Sequence, residues 1–146
     1  MENSLAGLNN VKVIRVAAAV VFAFGLAACA ELFGPTWGTR IGSIVDGSIV
    51  VPDTAVVGAN FVVTLTTRGG GCNKAGYTQI LMVDSVTAEV RPYDYYEINP
   101  SACTTILASF GHAAPVQFGH AGTATVRVIG AYNDSTITAT RTVIVR

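Results

Sequence analysis

The chain has 146 residues, nine basic and nine acidic side chains, a formal net charge of zero and 51% hydrophobic residues. Its charges are scattered, so no basic patch grips a phosphate backbone, which argues against nucleic acid as a partner. Beyond an apolar N-terminal segment the length suits a single domain.

That first segment has the three parts of an export signal. Lys12 and Arg15 form a positive start, Val16 to Leu26 carry no charge, and small residues then precede Cys29. The apolar stretch is shorter than the roughly 20 residues needed to cross a bilayer. Its end, Leu26-Ala27-Ala28-Cys29, is similar to the lipobox of bacterial lipoproteins. The resemblance implies a diacylglyceryl group on the Cys29 thiol, removal of residues 1–28 and acylation of the new N-terminus. Two or three acyl chains hold a protein stably at a membrane, where one binds only marginally. Ala30, where an aspartate signals inner-membrane retention in Gram-negative lipoproteins, implies sorting to the outer membrane in such an organism. The competing readings are an ordinary signal peptide with an incidental cysteine, and a short transmembrane helix.

Residues 29–40 then read as a lipidated tether. Trp37 in it suits either the lipid interface, with Leu32 and Phe33, or packing on the base of the domain. With Cys29 lipidated, Cys72 and Cys103 remain, and outside the cytoplasm such a pair is expected to bridge. Closing that loop would stabilise the fold by about 3–4 kcal/mol on the chain-entropy model. Two buried free thiols are the alternative.

From Ile41 onward the pattern has period two. Phe61, Val63 and Leu65 alternate with Val62, Thr64 and Thr66. Val86, Ala88 and Val90 follow, then Ala124, Val126 and Val128, then Ile137, Ala139, Val143 and Val145. Segments 49–52 and 77–83 are less regular strand candidates. Turn residues punctuate the strands at Pro52-Asp53, Gly69-Gly70-Gly71, Gly119 to Gly122 and Asn133-Asp134. One segment departs from the period. Asn99-Pro100 reads as a helix start, and Cys103, Ile106, Leu107 and Phe110 share one face at helical spacing, with Gly111 as the stop. A short helix over about 100–110 is therefore expected.

The stretches Val51-Pro52-Asp53-Thr54, Val57-Gly58 and Phe61 to Thr66, with Gly122 to Val128 at the close, resemble bacterial immunoglobulin-like domains. The expected architecture is all-β: a signal-peptide helix, then an immunoglobulin-like antiparallel β-sandwich over 41–146 with one short helix. The only Trp lies in the tether and the cysteine pair flanks a loop, both departures from the antibody-type pattern. The family implies an extracytoplasmic structural or adhesive module with no shared catalytic residue.

Few residue constellations suggest chemistry. Phe110-Gly111-His112-Ala113 and Phe118-Gly119-His120-Ala121 repeat a pattern, so His112 and His120 are candidate metal ligands, with Asp94 or Asp134 as a third. Without convergent ligand spacing, two turn histidines are the simpler reading. Tyr93-Asp94-Tyr95-Tyr96-Glu97 is the leading binding candidate, since tyrosine rings beside carboxylates suit a glycan or a protein surface. Asp94 and Glu97 are too close in one segment for a glycosidase pair, which is set across a cleft. Residues 69–74 lack phosphate-loop spacing, no GxSxG elbow is present, and Asn133-Asp134-Ser135 reads as a turn. The expectation is a lipid-anchored, non-enzymatic envelope module without a cofactor. Its partners would be the membrane, through Cys29, and an envelope protein or glycan.

Overall fold

A computed structural model describes residues 35–133 and 135–146. Residues 1–28, read from the sequence as a signal peptide, Cys29, its expected lipidation site, and Asp134 lie outside them. Nine strands form: β1 (Thr36–Ile41), β2 (Ser43–Ile44), β3 (Thr54–Ala55), β4 (Asn60–Gly69), β5 (Asn73–Asp84), β6 (Thr87–Ile98), β7 (Ala108–Gln117), β8 (Gly122–Tyr132) and β9 (Ser135–Val145). All nine belong to one sheet.

The sheet is mixed and curled. β4–β7, β5–β6, β1–β6, β2–β4 and β8–β9 pair antiparallel, whereas β2–β8, β3–β9 and β6–β8 run parallel. The all-antiparallel arrangement expected from sequence is thus corrected. Residues 87–90 of β6 lie parallel to 125–128 of β8, and β1 takes over beside β6 from Tyr93 onward. Residues 36–40, assigned to the tether on sequence, belong to β1.

Curling places the inward residues of β4 and β7 against those of β6, β8 and β9. Val63, Leu65, Ala114, Val116 and Phe118 meet Ala88, Val90, Val126, Val128, Val143 and Val145 in one core. These are the apolar positions of the period-two runs, and partners in the alternation such as Val62, Thr64 and Thr142 face out. Burying each such side chain contributes about 1.5–3 kcal/mol. Phe61 closes the end of this core, its ring 5.9 Å from that of Phe118. The β8–β9 hairpin turns between Tyr132 and Ser135, with Asn133 at φ 45°; asparagine tolerates that left-handed conformation.

Among the described residues there is no helix. Residues 100–107 are irregular, and the expected helix is replaced by a loop leading into β7. Two constraints account for this. Asn99 takes φ 56°, ending β6 in a turn. Cys103 is then held at disulfide distance from Cys72, Cα–Cα 5.3 Å, while Gly71 N–H donates to Thr104 O at 3.3 Å. A chain pinned at consecutive residues to the β4–β5 turn cannot also close helical hydrogen bonds there. The apparent helical face dissolves: Ile106 and Leu107 are each 71% exposed, and Phe110 pairs with Thr67 within β7.

Candidate functional site

β6 carries the Tyr93–Glu97 segment as regular strand, so its side chains split between two faces. Asp94 and Tyr96 follow Val90 and Pro92 on the inner side. Tyr93, Tyr95 and Glu97 point outward. The four candidate binding residues Tyr93, Asp94, Tyr95 and Tyr96 therefore do not form one surface. Asp94 and Glu97 stand on opposite faces, which removes any carboxylate pair.

The outer face is built by three strands in register. Tyr95 lies between Thr39 of β1 and Lys74 of β5, and Glu97 lies opposite Trp37. A bulge in β5 adds a third ring. Ala75 pairs with Asp94 and Thr78 with Pro92, so Gly76 and Tyr77 together oppose the single residue Tyr93. The bulge turns Tyr77 outward, where its ring stacks on that of Tyr93 at 4.9 Å and 16° and lies 6.5 Å from that of Tyr95. Gly76 is the residue that permits this, because a Cβ there would overlap the Tyr93 carbonyl. Lys74 Nζ extends the row, 3.8 Å from the Trp37 ring centroid and 5.5 Å from that of Tyr95. At the other end Arg91 pairs with Glu89, and that hydrogen bond holds the guanidinium above its ordinary value. The result is an aromatic ladder, Tyr77–Tyr93–Tyr95, framed by charged groups. Tyr77 is 48% exposed, and Tyr93 and Tyr95 are half-buried.

Sequence reasoning missed Tyr77. Its signal was the glycine before it, since an isolated Gly in a strand pattern marks a bulge. A separate cleft of about 420 Å³ opens nearby, lined by Arg40, Ile41, Ser43, Ala131 and Asn133, with none of the ladder rings in it.

The inner face of the same segment holds a polar cluster. His112, expected in a turn, lies inside β7 because β7 begins at Ala108; its inward phase makes it buried. Its Nε2 lies 3.0 Å from Asp94 Oδ1 and 3.0 Å from Thr67 Oγ1, and its Nδ1 lies 3.4 Å from Thr78 Oγ1. The Asp94 and His112 side chains are each 1% exposed. Asp94 Oδ2 has no hydrogen-bond partner among the described residues. Gly42 packs against this cluster so closely that a Cβ there would stand 2.5 Å from Thr67 Cγ2 and 2.8 Å from Asp94 Oδ2. The same bulge serves this side, since it returns Thr78 to the inward phase beside His112.

His120 sits exposed in the bend after β7, apart from the buried cluster. No group of three His, Cys, Asp or Glu side chains suited to a metal ion occurs among the described residues. No protein-family model matches the chain, and no curated protein or solved structure does either.

Proposed function

We propose that this chain is a non-catalytic binding module held at the bacterial cell envelope by lipid on Cys29, and that its ligand is a glycan laid across Tyr77, Tyr93 and Tyr95. The observation that carries the reading is the outward ladder built by the Gly76–Tyr77 bulge. Three rings standing together on a sheet, Tyr77 exposed and Tyr93 and Tyr95 half-buried, offer apolar edges and phenolic hydroxyls at once. Lys74, Glu97 and Arg91 around them supply hydrogen bonds to a polar polymer. A row of rings along a sheet, outside any described cleft, favours an extended chain over a small ligand, which needs a concave site. The sequence-level likeness to immunoglobulin-like domains fits such a module. The β4–β7 and β8–β9 pairs agree with that likeness, and the parallel β6–β8 contact departs from it.

Co-sedimentation of the purified chain with insoluble envelope polysaccharide tests the reading. Tyr93→Ala and Tyr77→Ala should each weaken binding by about tenfold, the scale of one lost aromatic anchor. Equal binding by wild type and both variants, with native circular dichroism, would reject it.

An envelope hydrolase is the second reading, favoured by the succession Asp94–His112–Thr78. It places a carboxyl, an imidazole and a hydroxyl in line, as nucleophilic catalysis requires. The burial of Asp94 and His112 speaks against substrate access. Thr78→Val keeps the volume and removes the hydroxyl. It should leave glycan binding intact under our reading and abolish turnover under the alternative.

A further inference from the structure

We propose that the end of the domain where the chain enters lies on the lipid surface, with Trp37, Ile98, Ile106 and Leu107 seated in the interface. The inference rests on the lipid-anchor reading and extends it from a tether to a docked orientation.

Strand register defines this end. β1 begins at Thr36 beside Ile98, the last residue of β6. β5 begins at Asn73 beside Tyr96, and β4 ends at Gly69 beside Ala108, the first residue of β7. The 70–72 turn and the 99–107 loop therefore share one end with the entry point. Exposed apolar side chains gather there: Ile106 and Leu107 at 71%, Ile98 at 40% and Trp37 at 36%. Two adjacent aliphatic side chains left this far in water are unfavourable for a domain with no surface to cover them.

The loop that carries them is held outward by three contacts. Cys103 stands at disulfide distance from Cys72, Gly71 N–H donates to Thr104 O at 3.3 Å, and Glu97 N–H donates to Cys72 O at 3.0 Å. Ile106 and Leu107 thus project from a braced platform. Charge at this end agrees with an anionic surface. Arg68 and Lys74 come from its strand termini against the single acid Glu97. Lys74 lies against Trp37, so an indole and an ammonium meet where the apolar layer would give way to headgroups.

The length of chain preceding β1 makes lipid the occupant in preference to a soluble partner. Cys29 precedes Thr36 by so few residues that, fully extended, the link reaches at most about 25 Å. A lipidated Cys29 therefore keeps the bilayer within reach of this end. The β5–β6 hairpin tip, at the opposite end of β6, faces away.

Trp37 is the chain's single tryptophan, so its fluorescence reports on this end alone. The full, processed chain should be reconstituted into phosphatidylcholine–phosphatidylglycerol vesicles and tested by flotation and by quenching. Lipids brominated near the top of the acyl chain should cut Trp37 emission by about twofold, with little quenching by aqueous iodide. Ile106→Asp with Leu107→Asp should reverse that preference while the protein still floats with the vesicles. Flotation with iodide quenching alone would reject the docked orientation and leave the anchor standing. Loss of flotation, with an unmodified Cys29 thiol by mass spectrometry, would reject the anchor and the docking with it. Protection of Trp37 from both quenchers, with cross-linking between copies, would assign the patch to a second copy and overturn the proposal.

Discussion

A buried imidazole beside a buried carboxyl is tolerated only where both find partners. His112 meets this condition through Asp94, Thr67 and Thr78, drawn from β6, β4 and β5. His112→Ala removes the group that satisfies Asp94 Oδ1 and leaves a second unpaired carboxyl oxygen beside Oδ2. The loss in unfolding free energy should be about 3 kcal/mol, measured by urea denaturation. Asp94→Ala should also destabilise, and the double variant should cost less than the sum of the two by at least about 1 kcal/mol. Strictly additive losses would show that the pair does not act as a unit. The sequence joins the two residues only as possible ligands of a metal, with His120, and not as a buried pair. Their meeting depends on the antiparallel register of β4 with β7 and on the bulge in β5. Neither is written in local composition.

At the level of elements, the period-two runs predicted strands where β4, β6, β8 and β9 lie, because one face of each must leave water and the other need not. The same rule divides Tyr93 and Tyr95 from Asp94 and Tyr96, which the sequence alone groups as one binding segment. The segment from Cys103 to Phe110 misled for a physical reason. Its apolar residues recur at helical spacing, but Cys103 is committed to Cys72 and Ile106 and Leu107 face solvent. A pair of cysteines that fixes a loop overrides a weak local preference. Reduction should therefore loosen this loop more than the core. Intact mass should rise by the two hydrogen atoms that the reductant adds to the opened bridge, and stability should fall by about 3–4 kcal/mol on the chain-entropy model. Hydrogen exchange should speed up first at Gly71 and at residues 103–107. Alkylation of both thiols in the native, unreduced protein would overturn the bridge.

Two surfaces among the described residues carry the proposed roles, the ladder on the outer face and the apolar end where β1 begins. Both gain their proposed roles from an anchor that lies outside the described residues, so Cys29 is the position on which the envelope reading turns. Cys29→Ala should abolish lipid attachment and the cut after Ala28, leaving precursor in the membrane or releasing the domain through another peptidase. Mass spectrometry of the native N-terminal peptide decides this. An unmodified thiol at Cys29 in cells with intact lipoprotein processing would refute it. The topology was the least legible property at this scale. Alternation along Ala124–Val128 specifies which side chains face in, but says nothing of whether β6 runs with or against β8.

The parallel pairing of Thr54–Ala55 with Ile144–Val145 sets a schedule for assembly. Val57 N–H and Arg146 O extend this contact, so β3 waits for a partner from the far end of the sequence. A chain threaded N-terminus first through a translocation pore cannot close its core until residues 143–146 have emerged, because Val143 and Val145 complete that core. Folding would then begin late and proceed slowly, as contacts so distant in sequence demand. Until it finishes, β3 and β8 stay open along their edges, where proteases, chaperones and other unpaired strands would compete for them.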